Sequence, residues 1–259
     1  MRISKINLIT LVLTTGFLLI IGLSYLFLDD RIAFRLLSHR DHLLNNKILK
    51  TFEMLGKAWL VIWLLLCWAW ATGQIRPMLV CFLSLVITAI MVLPVKVLVC
   101  RPRPYDIIEK TQIDYGRNDL TRSWSFPSGD TATVFGITLV LSSYIRRRWV
   151  IILLIISAGI GLLRIMFTAH YLSDVIAGAG IGALSGLLAL KINQNWRFLS
   201  SIPFIRIRIF ALAGVVLAPL LSGFSESWGF MFSMLNTYGL LILIIFLTWK
   251  AHQWHKTRI

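Results

Sequence analysis

Three short clusters in this 259-residue chain bring cations close to groups that can attack or hold an anion. The first reads Lys96-Val97-Leu98-Val99-Cys100-Arg101-Pro102-Arg103-Pro104, the second Ser125-Phe126-Pro127-Ser128-Gly129-Asp130, and the third runs from Arg164 through His170 to Asp174. Lys96, Arg103 and Arg164 are three cations suited to a transferring phosphoryl group, whose negative charge spreads over its equatorial oxygens and whose catalysis is mostly positioning and electrostatics. Pro127-Ser128-Gly129 stands just before an apolar segment. There the free N–H groups of a helix start attract anions and Gly129 permits close backbone approach, while the Ser128 hydroxyl adds a donor or caps the helix. His170 and Asp174 are four apart, a spacing that puts both on one face at the start of a helix. A carboxylate accepting one imidazole N–H fixes the tautomer and leaves the other nitrogen to attack. Taken singly, each cluster also has a plain structural reading: snorkelling anchors, a helix cap, an interfacial histidine.

The elements that must position these clusters are long apolar runs. The chain is 58% hydrophobic and 14% charged, against about 25% charged for soluble domains. Runs of about 20 apolar residues are long enough to cross a bilayer, and in lipid such segments must be helical. The pattern predicts an all-α polytopic membrane bundle with six principal spans at about 7–28, 54–72, 78–99, 128–145, 149–166 and 172–190. Two further apolar stretches, about 209–224 and 229–249, make a C-terminal extension over 191–259, the first of them short and carrying Pro219. The first run is too long for a signal-peptide core and no small-residue cleavage site follows it, so it reads as an uncleaved span. Residues 29–53 mix charged and apolar positions at 3–4 spacing, which predicts short amphipathic helices at the interface. Gly178, Gly182 and Gly186 share a helix face and predict close helix packing.

The formal net charge of +15 would suggest nucleic acid in a soluble protein. Here the basic residues lie between apolar runs, where they set topology and meet anionic headgroups, so no nucleic-acid partner is expected. Lys and Arg divide equally between the two sides for eight crossings; the short Arg146-Arg147-Arg148 loop favours the N- and C-termini inside and all three clusters outside. Cys67, Cys81 and Cys100 read as small apolar packing residues, and no metal-ligand spacing is visible. His252 and His255 read as solvated tail residues.

The order Lys-x6-Arg-Pro, then Pro-Ser-Gly, then Arg-x5-His-x3-Asp resembles the three-part signature of the type 2 phosphatidic acid phosphatase superfamily, over roughly residues 96–174 with a six-span core to about 190. The resemblance implies an integral membrane lipid phosphatase that works without metal or other cofactor on a lipid phosphate or diphosphate. It implies that Lys96, Arg103 and Arg164 bind the phosphate with hydrogen bonds from Ser128 and Gly129. His170 would attack phosphorus to form a phosphohistidine, Asp174 would hold it, and water would resolve the intermediate. By analogy, a bacterial inner membrane with the site facing the periplasm fits the compact form.

One position departs from the pattern. The second motif of the family ends Pro-Ser-Gly-His, its His being the general acid for the leaving oxygen; here Asp130 stands in that place. An unperturbed Asp side chain titrates at about 3.9 and is a poor acid at neutral pH. An alkoxide leaving group needs a proton, whereas a phosphate leaving from a diphosphate, with a second pKa near ~6, departs unaided. The expected substrate is therefore a lipid whose leaving group is stable as an anion, such as a polyprenyl diphosphate like undecaprenyl diphosphate, or the anomeric 1-phosphate of lipid A. A lipid alcohol resolving the phosphohistidine would make the chain a phosphotransferase instead. A member that binds or moves lipid phosphates without catalysis is the reading from outside enzymology.

Overall fold

The computed structural model describes residues 16–37, 43, 45–72, 74–108 and 124–195. The apolar stretches expected at 209–224 and 229–249 lie outside these residues. The described chain falls into two units. One comprises residues up to Val61 together with Leu79 onward; the other, among the described residues, is Ile62–Met78. The second unit is helical and apolar. All three clusters belong to the first.

Every regular element among the described residues is a helix, as the apolar patterning predicts. Residues 16–23 are helical and pass through a π-helical segment, Ser24–Leu28, into α1, Asp29–Leu37. The expected end of the first span near residue 28 is thus not an end, because the helix continues into the interfacial stretch. Next come α2, Lys47–Met54, capped by the Asn46 side chain accepting from Ile48 and Leu49 N–H groups, and α3, Ala58–Thr72. They are separated at Leu55–Lys57. The remaining helices are α4, Ile75–Val99, α5, Pro104–Ile108, α6, Gly129–Ser142, α7, Arg147–Met166, and α8, Leu172–Asn195.

Among the described residues, α7, α8 and the segment that begins with α4 are long and apolar enough to cross a membrane. With 14 residues, α6 is shorter than the ~20 needed for a full crossing. Leu93, Leu98, Ile155, Leu162 and Leu187 are large apolar side chains left exposed on these helices. Such an outer surface suits lipid rather than water, and the chain is a membrane protein.

Small residues let α6 and α8 come close. A Cβ at Gly186 would lie 2.7 Å from the Gly136 carbonyl oxygen, and one at Gly178 or Gly182 would overlap the Ser128 or Ala132 carbonyl. The predicted glycine stripe is therefore the face of α8 that meets α6. Gly136 also borders α4: a Cβ there would lie 2.9 Å from Ser84 Oγ as well as 3.1 Å from the Gly182 carbonyl oxygen of α8. Thr138 and Ser157 join α6 to α7 by a 2.9 Å hydroxyl contact, the kind of interhelical polar contact that lipid favours. Cys81 is buried and Cys67 half-buried, as packing residues are, whereas Cys100 is exposed at the end of α4. There Cys100 takes a positive φ of 47°, so its place is set by the turn out of the helix and not by packing.

Candidate active site

The end of α7 and the start of α8 create the local frame. Arg164 lies in the last turn of α7. Its carbonyl accepts from both Ala169 and His170 N–H at 3.1 Å, which folds the chain back over the helix end. Thr168 takes φ 51° in this turn, an unfavourable conformation for a β-branched residue that surrounding contacts must hold. One such contact is the 3.2 Å hydrogen bond from Tyr105 N–H to the Thr168 carbonyl. His170 sits in the turn before α8, not on it. The four-residue spacing to Asp174 therefore works through a tight turn rather than a helix face. Asp174, in the first turn of α8, accepts from Tyr171 N–H at 2.9 Å through Oδ2.

His170 Nδ1 lies 3.6 Å from Asp174 Oδ2 and 3.5 Å from Ser125 Oγ. Ser125 in turn donates to Asp174 Oδ2. His170 and Asp174 are both buried. Burial pushes the His170 pKa down to about 4, and the Arg164 and Arg103 cations push the same way against the hydrogen bond to Asp174. The imidazole is therefore neutral at neutral pH. With Nδ1 facing the carboxylate, Nε2 is the nitrogen left for chemistry.

The three predicted cations come to the same place. Arg103 and Arg164 lie within electrostatic range of His170, and Lys96 lies within range of Arg103, Asp130 and Asp174. Lys96, in the last turn of α4, donates to the Trp124 carbonyl. Arg164 is buried, and its Nε has no protein partner among the described residues, which leaves a desolvated donor suited to a ligand oxygen. Ser128 is the N-cap of α6: its Oγ accepts from Thr131 N–H at 3.5 Å and contacts Thr131 Oγ1 at 2.9 Å. Its backbone N–H donates to the Asp174 carbonyl at 3.0 Å. The capping reading thus holds for the Ser128 hydroxyl. Gly129 opens α6. Asp130 Oδ2 accepts from Lys57 Nζ at 2.8 Å and stands 3.4 Å from Arg164 Nη1.

Five further residues escape a reading of the motifs alone. Arg101 donates to Asp174 Oδ1 at 2.9 Å, to Asp29 Oδ2 at 2.9 Å and to Ser173 Oγ at 2.8 Å. Its guanidinium lies 3.6 Å from the Tyr171 ring centre and 4.6 Å from that of Tyr25. Asp29 is fully buried and also accepts from Ser173 N–H at 3.0 Å. Ser125, Glu53 and Lys57 complete the set. Asp29 follows directly on an apolar run, where a carboxylate is costly unless it is partnered, and Arg101 and Ser125 stand inside the first two clusters without a role assigned to them there. Among the described residues no three His, Cys, Asp or Glu side chains gather as metal ligands would.

A family model described as the PAP2 superfamily matches residues 77–198. Aquifex aeolicus LpxE is 30% identical in sequence, the match covering 56% of this chain and 84% of that one with a TM-score of 0.46. A transmembrane PAP2 type phosphatidylglycerolphosphate phosphatase from Bacillus subtilis is 18% identical, covering 73% of this chain and 98% of that one with a TM-score of 0.50. No curated protein sequence matches the chain. The ordered motifs, the helices that carry them and the matching family profile agree, and the chain belongs to the PAP2 superfamily.

Proposed function

We propose that this protein is a lipid phosphatase that acts through a phosphohistidine on His170, with Asp174 as its orienter. The carrying observation is the buried, neutral imidazole whose Nδ1 faces Asp174 and Ser125 while Arg103 and Arg164 lie within electrostatic range. Lys96, Arg103 and Arg164 hold the phosphoryl oxygens, Arg164 Nε, which has no partner among the described residues, being one donor, with a backbone donor from Gly129 at the start of α6. Nε2 of His170 forms a bond to phosphorus as the bond to the lipid oxygen breaks, and that oxygen leaves with the electron pair. Water then displaces the histidine and releases phosphate.

The substrate class follows from Asp130. Its Oδ2 accepts from Lys57, so this oxygen is placed as an acceptor and not as a proton donor. Such a carboxylate suits the second step, taking a proton from the water that enters where the leaving group departed. The first step then favours lipids that release a stable anion: a polyprenyl diphosphate such as undecaprenyl diphosphate, or the anomeric 1-phosphate of lipid A. The site would face the periplasmic side of a bacterial inner membrane.

The test is phosphate release by the native protein and His170→Ala in detergent, over diphosphate and monophosphate lipids. The expected result is faster turnover of a polyprenyl diphosphate than of phosphatidate, lost in the variant. Faster turnover of phosphatidate would overturn the substrate class. Appearance of the phosphate on an acceptor lipid would replace hydrolysis by transfer.

A further inference from the structure

Four charged side chains close one edge of the site, and two of them, Glu53 and Lys57, lie far from the three clusters in sequence. Glu53, in the last turns of α2, bonds Arg164 and stands 3.5 Å from Lys57 Nζ. Asp130 Oδ2 takes both Lys57, at 2.8 Å, and Arg164, at 3.4 Å. Side-chain exposure rises from Arg164, at 6%, through Asp130, at 21%, to Lys57, at 34%. The quartet therefore runs from the buried phosphate cations outward to an accessible ammonium.

We infer that Lys57 is a specificity-determining residue that binds the leaving phosphate of a diphosphate lipid. The inference rests on the phosphatase reading above and deepens it. One ammonium N–H donates to Asp130 and Glu53 stands 3.5 Å away as an ion-pair partner, so an ammonium with three donors keeps capacity for a ligand oxygen. Arg164 and Lys57 share one Asp130 oxygen, so both cations are fixed side by side. With the terminal phosphoryl group on Arg164, the next phosphate toward the lipid falls beside Lys57. When the bridging P–O bond breaks, its electron pair moves to the oxygen of the leaving phosphate. Lys57 keeps its protons and neutralises that charge, so no proton transfer is required. Position 130 thus no longer supplies a proton donor; it anchors a fixed cation.

The experiment measures kcat/KM for farnesyl diphosphate and for p-nitrophenyl phosphate, whose leaving group carries no phosphate, with the native protein, Lys57→Met and Lys57→Arg. The ratio of the two values is read, because any loss of folded protein scales both alike. Lys57→Met is expected to lower the diphosphate-to-aryl ratio ~10–100-fold, the range of one hydrogen bond to a charged group, and Lys57→Arg to retain most of it. An unchanged ratio in Lys57→Met, or an equal fall in Lys57→Arg, overturns the role of Lys57 and leaves the phosphatase reading standing. Turnover of p-nitrophenyl phosphate but not of farnesyl diphosphate by the native protein likewise overturns the role of Lys57 alone, and turnover of neither overturns the phosphatase reading as well.

Discussion

Arg101 Nη1 donates to Asp174 Oδ1 at 2.9 Å while the other oxygen of the same carboxylate, Oδ2, faces His170 Nδ1 at 3.6 Å. One carboxylate thus links a structural cation to the candidate nucleophile. The Asp174 side chain has no exposed surface and that of Arg101 is only 12% exposed, so the charge of Asp174 depends on Arg101 and on its hydrogen bonds. Removing one partner of a buried pair costs about 3–5 kcal/mol, because the other is left uncompensated. Arg101→Ala is expected to lower the thermal midpoint and to cut kcat by ~10²-fold with a smaller change in KM. Thermal unfolding in detergent, together with steady-state kinetics on the folded fraction, checks this. A variant with native stability and kcat would remove Arg101 from the account.

The buried imidazole sets a pH signature. The His170 pKa lies near 4, below the ordinary ~6.5. Between these values the unfolded chain takes up a proton that native His170 does not, so this group withdraws stability as pH falls from about 6.5 to about 4. Above about 6.5 both states are neutral and the contribution is constant. Titration of the His170 ring by nitrogen NMR in detergent is expected to show a midpoint near 4. A midpoint near ~6.5 would mean that water reaches the ring.

Glu53 is paired with the guanidinium that the proposed function assigns to phosphate. Its carboxylate bonds Arg164 and repels an incoming anion. Glu53→Gln removes that charge and keeps the shape, so inorganic phosphate should inhibit more tightly, by roughly 3–10-fold for a charge interaction in a partly hydrated site. Product-inhibition constants for native and variant measure this. Weaker inhibition in the variant would show that Glu53 organises Arg164 more than it competes for it.

The α6–α8 contact is tight enough to fail on one methyl group. A Cβ on Gly182 would overlap the Ala132 carbonyl, and overpacking of this kind costs about 1–3 kcal/mol. Because Ser128 and Asp174 lie on these same two helices and are joined backbone to backbone, Gly182→Ala should reduce both stability and turnover. Gly159, inside α7 with no neighbour for a Cβ to meet, is the control, and Gly159→Ala should not lower the thermal midpoint, since Ala favours a helix interior over Gly.

Much of this site is legible in sequence because charge next to an apolar run is rare. Lys96, Arg103, Arg164, His170 and Asp174 announce themselves by sitting at the ends of such runs, where ionised groups need a reason. The glycine stripe is legible for a related reason, since spacing alone puts Gly178, Gly182 and Gly186 on one face. What sequence could not supply are the pairings across long chain separations. Arg101 with Asp29, and Lys57 with Asp130, are each more than seventy residues apart, and no periodicity connects them. The turn at Thr168 is equally hidden: a β-branched residue gives no local signal for a positive φ, and only the packed surroundings hold it there. The end of the first span is hidden too, because Asp29 reads as polar and terminal, whereas burial with Arg101 and Ser173 lets the helix continue.

The nucleophile can be tested on its own. Mixing the protein with a lipid diphosphate labelled on its terminal phosphorus, and quenching within milliseconds in base, should trap label on the chain as a base-stable, acid-labile adduct that maps to His170. His170→Ala should carry none. Label retained on that variant, or full turnover by it, would contradict attack by His170.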